Sequence, residues 1–473
     1  MKRYSLILLG LLLILPPLSS VPTQAVDTVL VLPVLVIGGS QGSGNSQFNE
    51  PDSVYVDADG TIFAGDSDNL RIQIFSSDGT YLREITGFTP KAESSGNEVQ
   101  GIGELSNGTL VVVEKVGNLY SFNKDTGEMT NKIDMRSLIS LSSWDTQGLV
   151  VDRRTDYIYI SNQPEQKILV IAGNGSLVQE IDLPAFATPE NMAIDEKNER
   201  LFISSEGLSR IDVYHLNGTA DTFFGGTDVN INYEGLAIDP LGHIIAVSEG
   251  PNSATSSIEA RIIIFNSSSL EAMFAWGSSG HTAEGEFLSP DGIAYDFTYN
   301  RVLIADQGNY RIQVFDYINI LKSSGIHDDT TAPTITDQAD VSAQLEVDTN
   351  IILSWTVSDE DFIGGYDLTQ DGVSVASGRF DFAGEVITFN ASSLAEGIYV
   401  FELNATDAFG NSAIDTATLT IAAAPTSSSE PVTSTTASET STSETSTDTD
   451  SPYPMLWGGI FVVITTFVYR KRK

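Results

Sequence analysis

Short apolar segments alternate with polar turns along residues 51–315, and this arrangement repeats. The first and last repeats read PDSVYVDADGTIFAGDSDNLRIQIF (residues 51–75) and PDGIAYDFTYNRVLIADQGNYRIQVF (residues 290–315). Each contains an apolar segment, a turn rich in Asp, Asn or Gly, a second apolar segment, a polar turn and a third, alternating segment. Apolar residues with a period of two between turn residues are typical of β-strands. The sequence therefore predicts repeated units of antiparallel strands.

The length of the repeat indicates how these units are arranged. A small residue opens each of six units, and consecutive openings are 48, 47, 43, 44 and 57 residues apart: Ser53, Gly101, Gly148, Asn191, Gly235 and Gly292. A period of about 40–50 residues with several strands per unit is typical of a β-propeller. We therefore predict an all-β fold with a six-bladed β-propeller over residues 26–320. The last unit lacks a fourth strand, and the apolar residues 29–37 are predicted to close the ring by supplying it.

Two of the units carry a recognisable motif. Pro51-Asp52, Asp66, Asn69 and residues 71–75 recur as Pro290-Asp291, Asp306, Asn309 and residues 311–315. In this pattern the first and last units resemble NHL repeats, and the four middle units match it less well. The resemblance implies a propeller, a fold that carries both binding modules and enzymes.

Residues 331–423 have a different pattern. Alternating strand-like segments follow one another at the spacing of a β-sandwich. The segment Ala405-Thr406-Asp407-Ala408-Phe409-Gly410-Asn411 resembles the end of immunoglobulin-like modules of bacterial and archaeal surface proteins. We predict an Ig-like β-sandwich with Trp355 in its core.

The two ends of the chain predict export and anchoring. Residues 1–25 have the charged start, the apolar run and the small-residue end of a signal peptide, with an uncleaved anchor as the alternative. Residues 424–452 form a Ser/Thr-rich stalk, residues 453–469 a single transmembrane helix and residues 470–473 a basic cytoplasmic tail. A sortase-type processing signal would have the same three parts. Either alternative places the protein at the cell surface, and six N-x-[ST] sequons agree with an exported glycoprotein.

Charge and composition narrow the function. The chain has 24 Lys and Arg against 63 Asp and Glu, a net charge of −39, and it has no Cys and only four His. Nucleic acid is not expected as a partner, because binding its phosphates requires Lys and Arg. Disulfides, thiolate metal sites and Cys nucleophiles are excluded by composition. The four His are scattered without the spacing of metal ligands.

Acidic residues recur where strands are predicted to end. The first strand of each blade lines the central channel, so the residue before each small opening residue should approach one channel face. A second set follows the second strand of each unit, and oxygen ligands of this kind suit Ca²⁺. The candidate metal ligands are Asp52, Glu190, Glu234, Asp291, Asp66, Glu114, Glu249 and Asp306. The alternative is structural, because polar residues at strand ends also satisfy backbone groups, and Asp66 and Asp306 recur together with Arg71 and Arg311.

These observations predict a membrane-anchored binding, adhesion or scaffold protein with an extracellular protein or carbohydrate ligand. No catalytic residue and no certain cofactor is identified. The alternative is a Ca²⁺-dependent hydrolase, because Glu234-Gly235-Leu236, Ser248-Glu249-Gly250 and Asp306-Gln307-Gly308 are similar to segments of β-propeller phytases. Six-bladed lactonases offer a related analogy. The cluster of Lys and Arg that a phytase places beside its calcium ions is not evident in this sequence.

Overall fold

The computed structural model describes residues 28–94, 96–225, 231–249, 260–336, 338–360, 362–380 and 384–425. The predicted signal peptide (1–25), nearly all of the predicted stalk (424–452), the predicted transmembrane helix (453–469) and the basic tail (470–473) lie outside these residues. Within the described ranges, no helix has both the length and the apolar character needed to cross a bilayer. The described part is all-β apart from one α-helix, Tyr317–Ser324, and four short 3-10 turns.

Six sheets, each built on four antiparallel strands, follow one another along the chain. We number them 1 to 6 in chain order. Sheet 1 contains Pro51–Val56, Ile62–Asp66, Arg71–Phe75 and Tyr81–Ile85. Sheet 2 contains Val99–Glu104, Thr109–Glu114, Asn118–Asn123 and Met129–Asp134. Sheet 3 contains Thr146–Asp152, Tyr157–Asn162, Lys167–Ala172 and Leu177–Asp182. Sheet 4 contains Pro189–Asp195, Arg200–Ser205, Arg210–His215 and Ala220–Gly225. Sheet 5 contains Tyr233–Ile238, Ile244–Ser248, Arg261–Phe265 and Ala272–Trp276. Sheet 6 contains Pro290–Asp296, Arg301–Asp306, Arg311–Asp316 and Leu35–Gly38. This arrangement is consistent with a propeller.

The first strands of the six sheets form a closed ring. Each contacts the first strand of the next sheet, and the first strand of sheet 6 contacts that of sheet 1. Glycine makes this approach possible. A Cβ atom on Gly235 would lie 2.4 Å from the carbonyl oxygen of Asp291, and one on Gly292 would lie 2.4 Å from that of Asp52. Real Cβ atoms do not approach backbone this closely, so these positions require a residue without a side chain.

The apolar cores lie between neighbouring sheets. Phe63 and Ile72 of sheet 1 pack with Leu110 and Tyr120 of sheet 2 in one buried cluster, for example. The alternating apolar residues of each strand supply both faces of a sheet, because successive side chains point to opposite sides. Every sheet therefore depends on its neighbours to cover its apolar faces.

The apolar segment near the N-terminus serves two sheets. Leu35–Gly38 pairs antiparallel with Arg311–Asp316 and supplies the fourth strand of sheet 6. Thr28–Val29 instead pairs parallel with Ala272–Trp276 as a fifth strand of sheet 5. The prediction that all of residues 29–37 form one closing strand is therefore wrong. Pro33 lies between the two strands and has no N–H to donate to a ladder, so the segment divides there.

Residues 334–422 form two further sheets that share a core. One contains Thr334–Thr336, Ile352–Ser358 and Glu385–Asn390. The other contains Val341–Gln344, Gly364–Gln370, Val373–Phe380, Gly397–Thr406 and Ser412–Ala422. Trp355 lies in the shared core, is 1 % exposed, and donates its indole N–H to Asp415 Oδ2 at 2.7 Å.

This sandwich packs against sheets 5 and 6. Phe362 and Phe409 belong to the same buried cluster as Tyr317 and Leu321 of the α-helix. Two side chains also cross the junction, because Lys322 donates to the carbonyl of Phe409 at 2.7 Å and Asn300 to that of Ile363 at 3.0 Å. Asn300 follows the end of Pro290–Asp296, so the sandwich lies at the end of the ring that this strand reaches last.

Candidate functional site

Four carboxylates meet at the other end of the ring, where the first strands begin. They are Asp52, Glu190, Glu234 and Asp291, from sheets 1, 4, 5 and 6, and we call this region the acidic end. Asp291 interacts electrostatically with both Asp52 and Glu234. Glu190 also interacts with Asp291, although sheet 5 lies between their sheets. The four predicted channel acids are therefore brought together as neighbours around one channel opening.

Confinement changes the protonation of these acids. Burial, the largest cause, raises the pKa of Asp52 to about 7. Burial and mutual repulsion raise the pKa values of Glu190, Glu234 and Asp291 well above their ordinary range. Since an unbalanced charge is costly away from water, these acids favour either a proton or a nearby cation.

The acidic end is asymmetric around the ring. On the side of sheets 2 and 3 the corresponding residues are Gln100 and Gln147, which donate to Glu98 and Asp145 at 2.9 and 2.8 Å. Lys115 forms an ion pair with Glu98 at 2.8 Å on that side. Among the described residues, the carboxylates of this end that form no ion pair are therefore concentrated on the side of sheets 4, 5, 6 and 1.

Glu249 and Glu206 add to this charge at the rim. Both interact electrostatically with Glu234. Burial, followed by the charge of Glu249, raises the pKa of Glu206. Glu249, a predicted ligand, thus belongs with the four channel acids. Glu98, Lys115 and Asp145 were absent from the predicted set. The sequence signal for Glu98 is its place next to the predicted channel residue Gln100, because it directly precedes the strand Val99–Glu104.

Asp66 and Asp306, two of the remaining predicted ligands, have different surroundings. Each is fully buried and forms an ion pair at 2.7 Å, Asp66 with Arg71 and Asp306 with Arg311. Asp306 also accepts from Asn309 and Gln313 at 2.9 and 3.0 Å. These contacts favour the structural role over the metal-binding one.

The paired arginines extend this network to the preceding loop. Arg311 donates through Nη2 to the carbonyls of Ala283 and Glu286, both at 2.8 Å, and Arg71 makes the equivalent contacts in sheet 1. The recurring motif residues therefore fasten each loop to its sheet. They do not form part of the acidic end.

Glu114 occupies the same position in sheet 2. It is fully buried, and its Oε2 accepts from Asn118 at 2.8 Å and from the hydroxyl of Tyr120 at 3.0 Å. Its other oxygen accepts the backbone N–H of Thr89. The metal set predicted from the sequence stays a prediction. The structure brings the four channel acids and Glu249 together, whereas Asp66, Asp306 and Glu114 are engaged within their own sheets.

One cluster of acids outside this end has a tighter spacing. Asp329, Asp359 and Asp407 place one carboxylate oxygen each within 4.8 Å of one another, at the junction of sheet 6 and the sandwich. Asp407 is already engaged, since it accepts from the backbone N–H and the side-chain amide of Asn411 at 2.8 and 2.9 Å. These contacts order the loop that ends the strand Gly397–Thr406.

Comparison with known proteins gives only distant likenesses. No protein-family model and no curated protein matches the chain. Among solved structures it is similar to hydrazine synthase from Kuenenia stuttgartiensis, at 12 % identity and TM-score 0.45 over 59 % of this chain and 80 % of that one. It is also similar to virginiamycin B lyase from Staphylococcus aureus (13 %, TM-score 0.42, 56 % and 95 % covered) and to a streptogramin B lyase (13 %, TM-score 0.43, 59 % and 96 % covered). Likeness at this level carries no argument about function, and the NHL resemblance stays a prediction.

Proposed function

We propose that this protein is a cell-surface binding protein in which a six-bladed propeller is displayed on an Ig-like module. The ring of six sheets, with its first strands in sequential contact, supports the propeller. The two sheets around Trp355 support the Ig-like module. Membrane anchoring rests on the sequence of residues 453–469 alone.

The acidic end is the proposed binding site, and its ligand carries positive charge. One observation carries this proposal: four sheets each contribute a carboxylate to the same opening, and confinement raises the pKa of all four. A Lys or Arg side chain of a protein ligand would replace the protons that these acids otherwise hold. The sandwich packs at the opposite end of sheet 6, so it does not cover the acidic end.

A Ca²⁺ ion is the second candidate occupant. Carboxylate oxygens from several strands are the ligands that Ca²⁺ prefers. A bound Ca²⁺ could bridge to a carbohydrate ligand or, in the hydrolase alternative, polarise a phosphate ester or lactone. Lys115 interacts electrostatically with Asp52 at this opening, and it is ion-paired with Glu98.

Calorimetric titration with two probes separates these alternatives. A tetralysine peptide and CaCl₂ are titrated separately into the protein, its Glu234→Gln variant and an Asp221→Asn control on the exposed edge of sheet 4. Peptide binding that is at least tenfold weaker in Glu234→Gln and unchanged in Asp221→Asn supports the proposal. Calcium binding with a chelator-sensitive melting temperature moves the assignment to the metal site, and phytate and lactone assays follow. Absence of binding by both probes overturns a cation-binding function.

A further inference from the structure

The contact between the sandwich and sheet 6 leaves an open cleft, which we call the junction cleft. Its volume is about 760 Å³, and Tyr299, Tyr366, Arg379 and Asn404 are among the residues that line it. Small-molecule sites typically measure roughly 300–1,000 Å³. The strand Pro290–Asp296 separates this cleft from the acidic end, so the two lie about 20 Å apart at roughly 3.3 Å per residue. The junction cleft is therefore a separate place from the proposed cation site.

Arg379 is the distinctive group in the junction cleft. Its guanidinium lies over the ring of Tyr299 at 5.0 Å, and the guanidinium of Arg301 lies over the same ring at 4.7 Å. Arg301 has a counter-charge, because it pairs with Asp296 at 2.7 Å. Among the described residues, no carboxylate lies within ion-pair distance of Arg379 and no acceptor bonds to it. Partial burial is the largest cause that lowers the pKa of Arg379, and the charge of Asp296, which is already paired with Arg301, acts in the opposite direction.

The acids that line the cleft are already engaged with other groups. Asp316 caps the α-helix by accepting from the backbone N–H of Asn319 at 3.0 Å. Asp407 accepts from Asn411, and Asp367 accepts from the hydroxyl of Ser374 at 2.5 Å. In a chain with a net charge of −39, a guanidinium with no ion pair or hydrogen bond to any described residue, in a cleft of this size, is a position for an external anion.

The geometry points to a carboxylate-bearing carbohydrate as the ligand of the junction cleft. A guanidinium presents two parallel N–H donors that match a carboxylate. The Tyr299 ring already lies against two guanidiniums, so Tyr366 is the lining side chain that would offer an aromatic face to sugar C–H groups and a hydroxyl at the ring edge. Asn404 also lines the cleft, and its amide can hydrogen-bond a sugar hydroxyl. The cleft would thus hold one to three uronic acid residues, with one carboxylate on Arg379.

The test uses trigalacturonate and its methyl ester as probes of equal size and different charge. The protein is produced in a non-glycosylating host, because Asn404 lies in an N-x-T sequon. We expect trigalacturonate to bind, and the methyl ester to bind at least tenfold more weakly. Arg379→Gln should lower trigalacturonate affinity at least tenfold, and Arg379→Lys should restore part of it. Arg136→Gln, an exposed arginine of the turn after sheet 2, is the matched control.

Several results would overturn this assignment. Equal binding of trigalacturonate by wild type and Arg379→Gln, or no binding by wild type, excludes Arg379 as the carboxylate partner. Binding of a penta-aspartate peptide as tight as that of trigalacturonate excludes a carbohydrate site in favour of an acidic peptide. Unchanged thermal unfolding of Arg379→Gln verifies that the variant is folded. Glu234→Gln should leave trigalacturonate binding intact, so failure here is distinguishable from failure of the cation site.

Discussion

Replacing Asp52 with Asn should stabilise this protein at alkaline pH. Asp52 is 5 % exposed, and its Oδ1 accepts from Gln307 Nε2 at 2.6 Å. An asparagine oxygen keeps that hydrogen bond while removing a charge that is confined with the other acids. The variant therefore isolates the electrostatic cost of the acidic end.

The size of the effect follows from the pKa of Asp52. In the folded protein this pKa is about 7, against an ordinary value of 3.8. An acid with a raised pKa stabilises the fold fully below its unfolded pKa and loses that contribution as pH rises through its folded pKa. At about 1.4 kcal/mol per pH unit, ionisation of Asp52 lowers the free energy of unfolding by roughly 4 kcal/mol at pH 8. At pH 4 the same contribution is under about 1 kcal/mol. Burying the new amide keeps part of the desolvation cost, so we expect Asp52→Asn to stabilise by roughly 2–4 kcal/mol at pH 8.

Urea unfolding with EDTA present measures this difference. Wild type, Asp52→Asn and the exposed control Asp221→Asn are compared at pH 8 and pH 4. We expect a large gain for Asp52→Asn at pH 8, a small one at pH 4 and none for the control at either pH. A variant that is no more stable than wild type at pH 8, or a gain equal at both pH values, would refute the reasoning.

Two further predictions concern the fold, and both are measured by urea unfolding. Gly235→Ala should destabilise the protein by at least about 2 kcal/mol, because the new Cβ atom would lie 2.4 Å from the carbonyl oxygen of Asp291. In the control Gly365→Ala, the new Cβ atom meets its nearest backbone atom at 3.6 Å, so the free energy of unfolding should change by less than about 1 kcal/mol. Equal effects would contradict the close packing of the first strands. Arg311→Gln should cost roughly 3–5 kcal/mol by leaving Asp306 buried without its partner. The control Arg136→Gln should cost about 1 kcal/mol or less, because the side chains of Arg136 and its partner Asp134 are 45 % and 46 % exposed. A mild effect of Arg311→Gln would contradict a structural role for this pair.

Much of the strand pattern could be predicted from the sequence because it depends on local chemistry. The alternation of apolar residues and the turn residues between them predicted three strands in each of the six units, and the fourth strands of sheets 1 to 5 were not located. The recurrence of Asp66 with Arg71, and of Asp306 with Arg311, indicated that these pairs belong to the repeat, and the structure places them in hydrogen-bonded networks within their own sheets. The four channel acids were also identified, since each precedes the small residue at which neighbouring strands approach.

Other features depend on contacts between distant parts of the chain. The division of the N-terminal segment at Pro33 depends on two different sheets that offer free edges. The ion pair of Glu98 with Lys115 joins the residue before the first strand of sheet 2 to the residue after the second, and no local pattern marks it. Likewise, the junction of Phe362 and Phe409 with the α-helix, and hence the cleft with Arg379, arises from the packing of two separately predicted domains.

Proton release on cation binding tests the central claim most directly. Tetralysine and CaCl₂ are titrated calorimetrically at pH 6.5 in buffers with different ionisation enthalpies, which gives the number of protons released per ligand bound. Because the acidic end holds protons near neutral pH, a bound cation should displace them, and Glu234→Gln should reduce the number released. Binding of either cation with release of about one proton or more is the predicted result. Binding without proton release, or no binding of either cation, would contradict the account.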